Sequence, residues 1–154
     1  MRVFRQSVGF MRVRDLSLIL TAWVVACLGL VACSRGNVFS LEAGDCFDGG
    51  SPGSEVSDVE IVSCEKSHHS EVYAVFDLSG SDWPGQGAVG DMAERGCLSR
   101  FKPYVGIDYD SSEYYAVPMV PSSNSWKQGG DREVVCVLQL QYGMKTGSAK
   151  GTRR

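Results

Sequence analysis

The chain is 154 residues long and carries 18 acidic against 15 basic side chains, a formal net charge of −3. A chain of this length holds one domain behind a leader, and its acidic balance excludes nucleic acid as a partner, because phosphate binding needs a basic surface. Its six cysteines make the redox compartment the first question to settle.

The answer lies near the start. Arg12 and Arg14 flank an apolar run over 16–33 that closes with Leu30-Val31-Ala32-Cys33. A basic flank, an apolar centre and small residues before a cysteine are the three parts of a secretory signal. Met11-Arg12-Val13-Arg14 already makes a complete basic region, so Met11 competes with Met1 as the start. The alternative to a signal is one transmembrane helix, since 16–31 is near the lower length limit for spanning. Leu30-Val31-Ala32-Cys33 resembles the bacterial lipobox, which implies lipidation at Cys33 and cleavage of residues 1–32. One acyl chain holds a protein only marginally, whereas a diacylglyceryl cysteine brings two. A palmitate-bearing lipoprotein on the extracytoplasmic face of the cell membrane is therefore expected. Cys27 would leave with the leader.

Residues 33–40 read as a tether and 41–142 as the domain. Removing 1–32 takes away four arginines and Asp15, leaving 11 basic and 17 acidic side chains. Residues 143–154 hold Lys145, Lys150, Arg153 and Arg154 with no acid, and are expected to form a basic disordered tail with little to bury.

Within the domain, 38–47 approaches a sheet, with Gly44-Asp45 as a turn before Cys46. Residues 48–57, rich in Gly, Ser and Pro, form a loop. Residues 59–64 make a short strand. Residues 71–78 make the clearest one: Val72, Ala74, Phe76 and Leu78 alternate with Glu71, Tyr73, Val75 and Asp77. A loop over 79–87 leads to one helix over 89–101, in which Val89, Ala93, Cys97 and Phe101 fall four apart on an apolar face. Gly90 and Gly96 weaken it by about 1 kcal/mol each against alanine, and Pro103 stops it. Residues 113–120 form a strand whose Pro118 lacks a donor and belongs at an edge or bulge. A loop over 121–131 precedes a last strand, 132–141, with Val134, Cys136, Leu138 and Leu140 on one face. The class is α+β: a small antiparallel sheet of four to five strands with one packed helix.

Cys46, Cys64, Cys97 and Cys136 are an even set in an exported domain and read as two disulfides; three pairings are open. Cys97 on the helix and Cys136 on the last strand both face the layer between them, which favours Cys97–Cys136 and leaves Cys46–Cys64. No CxxC spacing suggests zinc.

Evidence for catalysis is thin. His68 and His69 are the only histidines, and neighbours on an extended segment point to opposite sides, so both cannot easily ligate one ion. One is expected to satisfy loop backbone groups and the other to be solvated. There is no Gly-x-Ser-x-Gly, and no pair of carboxylates is singled out. Gly129-Gly130 is a turn rather than a phosphate loop. Trp83, Trp126, Tyr104 and Tyr109 fall in loops or at element ends, where aromatics serve partner surfaces. The candidates for partner contact are Trp83, Trp126, His68, Asp131 and Arg132, with no cofactor and no metal.

Four blocks then carry a resemblance: Gly44-Asp45-Cys46-Phe47; Cys64-x-x-x-His68-x-x-Glu71-Val72; Cys97 ahead of Tyr104-Val105-Gly106; and Trp126-x-x-Gly129-Gly130-Asp131-Arg132-x-x-x-Cys136. Together, over about 41–140, they resemble the actinobacterial septum formation domain family, with Ser67 standing where that family usually has proline. The resemblance implies an exported or membrane-tethered domain linked by name to cell division, with no defined reaction. Asp131-Arg132 is expected to make a structural ion pair or turn. The expected function is a lipid-anchored, non-enzymatic module that binds envelope or division proteins. A cell-wall hydrolase using two carboxylates and a metal-binding lipoprotein using His68 are the alternatives.

Overall fold

The computed structural model describes residues 35–37, 40–48 and 58–154. The leader at 1–32, Cys33, most of the tether and the loop over 49–57 lie outside the described residues. Residues 34–154 form one compact unit, and no helix among the described residues is long and apolar enough to cross a membrane.

Among the described residues the strands are β1 (Arg35–Asn37), β2 (Cys46–Asp48), β3 (Asp58–Val62), β4 (Ser67–His68), β5 (Ser70–Asp77), β6 (Tyr114–Met119), β7 (Glu133–Leu140) and β8 (Lys145–Thr146), with one long helix, α1 (Gln86–Val105). Six strands form one antiparallel sheet in the order β1-β3-β2-β5-β7-β6, and β4 pairs with β8 in a separate ribbon. The α+β class holds. The three-residue β1 and the β4–β8 ribbon are additions to it.

Helix α1 buries Val89, Ala93, Cys97, Phe101 and Val105, the four-residue stripe expected of one face, extended by one turn. It begins after Gly85, whose φ of 98° suits only glycine. Pro103 does not stop it, contrary to expectation. The helix runs on to Val105 and ends at Gly106, in the left-handed conformation, whose N–H bonds the Lys102 carbonyl. The last turn persists because residues far along the chain serve its free carbonyls: Gly151 N–H bonds Tyr104 O at 2.8 Å and Arg153 N–H bonds Val105 O at 2.9 Å. Those groups would otherwise have no intrahelical partner.

Sheet and helix enclose the larger core, with Tyr73, Leu78, Phe101, Tyr114, Trp126, Val134, Cys136 and Leu138. The opposite sheet face has its own cluster: Leu41, Phe47, Val59, Val72, Val135 and Val137. Strand β7, between β5 and the edge strand β6, is therefore buried on both faces. In β5 the alternation breaks at a bulge between Val72 and Ala74. Val72 turns to the second cluster, while Ala74, Phe76 and Leu78 face the helix. An extra residue in one strand shifts every side chain beyond it to the other face. Pro118 lies on β6, the sheet edge, where a missing donor breaks no inner ladder.

Two disulfides pin the layers. Cys97–Cys136 ties α1 to β7, with Cα atoms 5.5 Å apart, and Cys46–Cys64 ties β2 to the residues after β3, with Cα atoms 5.2 Å apart.

The expectation of a disordered tail is overturned. Lys145 and Ala149 are buried, β8 pairs with β4, and Gly147 N–H bonds Cys64 O at 2.7 Å. The segment stays in place because the rest of the domain presents it with a buried carboxylate and open helix carbonyls.

Candidate functional site

Glu71 sits on β5, opposite Cys46 on one side and Leu138 on the other, and has no exposed surface. A lone buried carboxylate would cost several kcal/mol, so its partners decide what it is. Lys145 Nζ pairs with Oε2. Ala149 N–H donates to the same oxygen at 2.8 Å. Oε1 accepts from Tyr104 Oη at 2.8 Å and Ser148 Oγ at 2.5 Å. Lys145 also donates to Gly147 O at 2.8 Å. Burial by itself would raise the Glu71 pKa, but the bonds from Lys145, Ser148, Ala149 and Tyr104 outweigh it and hold the carboxyl below its ordinary value. Burial, and then the Glu71 charge, push the Tyr104 phenol well above its ordinary range. Three of the four donors come from 145–149. The carboxylate therefore works as a clasp on the C-terminal segment, and both its oxygens are engaged by protein donors.

His68 and His69 separate as an extended pair should. His69 is exposed, and its backbone N–H and ring Nδ1 both meet Asp48 Oδ1 at 2.9 Å. His68 is fully buried, with Nδ1 2.8 Å from the Lys66 carbonyl. A carbonyl can only accept, so Nδ1 carries the hydrogen. Nε2 has no hydrogen-bond partner among the described residues. One ligand-capable atom each from Cys46, His68 and Glu71 lie within 4.8 Å of one another. In the disulfide state the Cys46 sulfur is already bonded to Cys64, and a metal would also have to compete with the donors on Glu71.

Trp126, expected in a partner-facing loop, is 1 % exposed and belongs to the core. It lies in a single turn of π-helix, Ser125–Gly129. The Trp83 ring meets it edge-on at 5.5 Å, and Arg132 stacks on it at 3.7 Å. Arg132 donates to the carbonyls of Gly80, Ser81, Trp126 and Asp131. Asp131 accepts from Glu133 N–H at 3.0 Å. The Asp-Arg pair thus serves the backbone: Arg132 pins the loop before α1 to the loop before β7, and Asp131 forms a turn. Of the five residues expected to meet a partner, His68 and Trp126 are buried, while Trp83, Asp131 and Arg132 are half-exposed.

The exposed large apolar side chains are elsewhere. Tyr115 is 44 % exposed, Tyr142 82 % and Met144 42 %. Tyr115 stands opposite Gln139 near the end of β7, and Tyr142 and Met144 lie on the turn from β7 to β8. Sequence reasoning put Tyr115 in a strand, Tyr142 at the last position of the domain and Met144 in a disordered tail, and singled out none of them as a contact. The signal it passed over was the regular spacing of Gly143, Gly147 and Gly151, all at positive φ. A recess of about 440 Å³ is lined by Ser40, Leu41, Glu42, Ala43, Val75 and Glu133. Burial, then the charges of Asp131 and Asp77, raise the Glu133 pKa.

The septum formation family matches residues 43–153, so the matched region takes in the C-terminal segment. The chain is 33% identical over 117 residues to a Mycobacterium tuberculosis protein named as a lipoprotein, LppN, and equally to its Mycobacterium bovis counterpart; the matches cover 72% of this chain and 63% of theirs. The chain thus spans under two thirds of the length of these relatives. It is 28% identical over 109 residues to an uncharacterised membrane protein of M. tuberculosis, covering 63% of this chain and 23% of that one. No solved structure matches the chain.

Proposed function

The chain belongs to the septum formation family, and from that premise we propose that it is a lipoprotein module of the cell envelope, anchored through Cys33 on the extracytoplasmic face, that binds an envelope or division protein. The observation that carries this reading is a cysteine closing a leader-like run, followed by a domain whose own four cysteines are all in disulfides. Such bonds persist in oxidising compartments. Similarity to a protein named as a lipoprotein supports the anchor. The contact surface is the group of Tyr115, Tyr142 and Met144, because exposed aromatics and methionine favour partner contact. A photo-crosslinking residue at position 142 should capture one dominant envelope protein in dividing cells, and one at the exposed helix position Asp91 should not. Equal capture at both positions, or none, sinks the surface assignment.

A second reading has one observation behind it. Glu42 and Glu133 line the same recess, and Glu133 is biased toward holding its proton, as a general acid must. Release of fragments from purified wall material, abolished by Glu133→Gln, would favour a hydrolase. No release retires it.

A further inference from the structure

His68 carries an electron pair that no group among the described residues uses. Its Nδ1–H is committed to the Lys66 carbonyl, so Nε2 is the bare nitrogen, in a side chain with no exposed surface and with no partner for that atom among the described residues. Histidines that bind metals are held this way, with one ring N–H fixed on a backbone carbonyl and the other nitrogen free to ligate. A ring nitrogen of His68 and the Cys46 sulfur fall within 4.8 Å of each other. Cys64 joins the group through its bond to Cys46, with the two Cα atoms 5.2 Å apart, so both sulfurs can reach one ion once the bond opens.

We propose that the reduced form of this corner is a zinc-class metal site built from the Cys46 and Cys64 thiolates and His68 Nε2. An external thiol supplies the electrons. Two thiol molecules are oxidised to one disulfide, the Cys46–Cys64 bond breaks, and each sulfur takes up one proton. The divalent ion then displaces both protons and accepts three protein ligands, with water in the fourth position. Two thiolates and an imidazole select zinc over calcium or magnesium. Glu71 stays with Lys145 and the other donors, so the clasp survives the exchange. Reduction is selective because exchange needs access to a sulfur: Cys64 is half-exposed, whereas Cys97 and Cys136 are 1 % and 0 % exposed. The outcome is a domain that keeps β2 fastened to the β3–β4 corner in both redox states, by a disulfide in one and an ion in the other.

Cobalt(II) is the probe, added to purified full-length protein before and after mild thiol reduction. One equivalent should bind the reduced protein with a thiolate-to-cobalt charge-transfer band, and the oxidised protein should show no such band. His68→Gln should weaken binding by at least ten-fold, and Cys46→Ser with Cys64→Ser should remove the band. Zinc-edge X-ray absorption of the loaded wild type needs no variant and should give two sulfurs, at about 2.3 Å, and one imidazole. No binding after reduction, equal binding in both redox states, binding untouched by either variant, or a shell without sulfur overturns the proposal.

Discussion

Gly96 illustrates what a single position can hide. Inside a helix it looks like a defect, because alanine is better there by about 1 kcal/mol. Yet a Cβ at 96 would lie 2.2 Å from the Phe76 ring, and Arg100 closes over the same ring at 4.1 Å. The glycine is what lets α1 approach β5. Gly96→Ala should therefore lower stability by about 1–3 kcal/mol, in the range of overpacking, while Gly90→Ala, with nothing within 4 Å of its Cβ, should raise it by about 0.5–1 kcal/mol. Urea midpoints for the two variants check this; a shift in the same direction for both would refute the packing account. The two substitutions look alike in the sequence, because the ring that separates them comes from another element.

The Glu71 clasp belongs to the scale of elements, since it joins β5, α1 and β8. Removing one partner of a buried pair costs about 3–5 kcal/mol, so Glu71→Gln should destabilise strongly at neutral pH. The folded pKa of Glu71 lies below its ordinary value of 4.5. Its contribution is thus present in full above that value and is lost as the pH falls through the folded pKa. The stability gap between wild type and Glu71→Gln should stay constant down to about pH 4.5 and close below it; a gap that begins closing near neutrality would be inconsistent with a depressed carboxyl. Cutting the chain after Gln141 is a harsher test of the same junction. It leaves the Tyr104 and Val105 carbonyls without the donors of Gly151 and Arg153 and strips Lys145 from Glu71. Cooperative melting should disappear, whereas a disordered tail could be removed at no cost.

For the whole molecule, the central question is how it is held. If Cys33 is the anchor, the wild type should take up labelled palmitate and show an amino terminus at residue 33 by mass spectrometry. Cys33→Ala should take up none and retain residues 1–32. Label in the Cys33→Ala variant would locate the acyl group elsewhere and remove the anchor from the proposed function. The compact unit from 34 to 154 has two disulfides, a helix stripe and an inner strand, β7, buried on both faces. Most of these features were legible because each rests on a local repeat: four-residue spacing in α1, period two in β7, a proline that only an edge tolerates. The buried pair was not legible. Glu71 occupies the polar phase of an alternating strand, and Lys145 sits in a glycine-punctuated stretch with no apolar period; neither is marked until the chain returns to bring them together.

The linear order of residues was enough to determine the α+β class, the apolar face of the helix, the two disulfide pairs and the family blocks, since periodicity and cysteine count act over short range or over the chain as a whole. Only the tertiary structure decided which polar groups are inside. It buried Glu71, Lys145, His68 and Trp126, turned Val72 away from its neighbours at the bulge, and folded a basic terminal segment onto the helix. A charged group is inside when partners from distant segments converge on it, and no local pattern records that convergence.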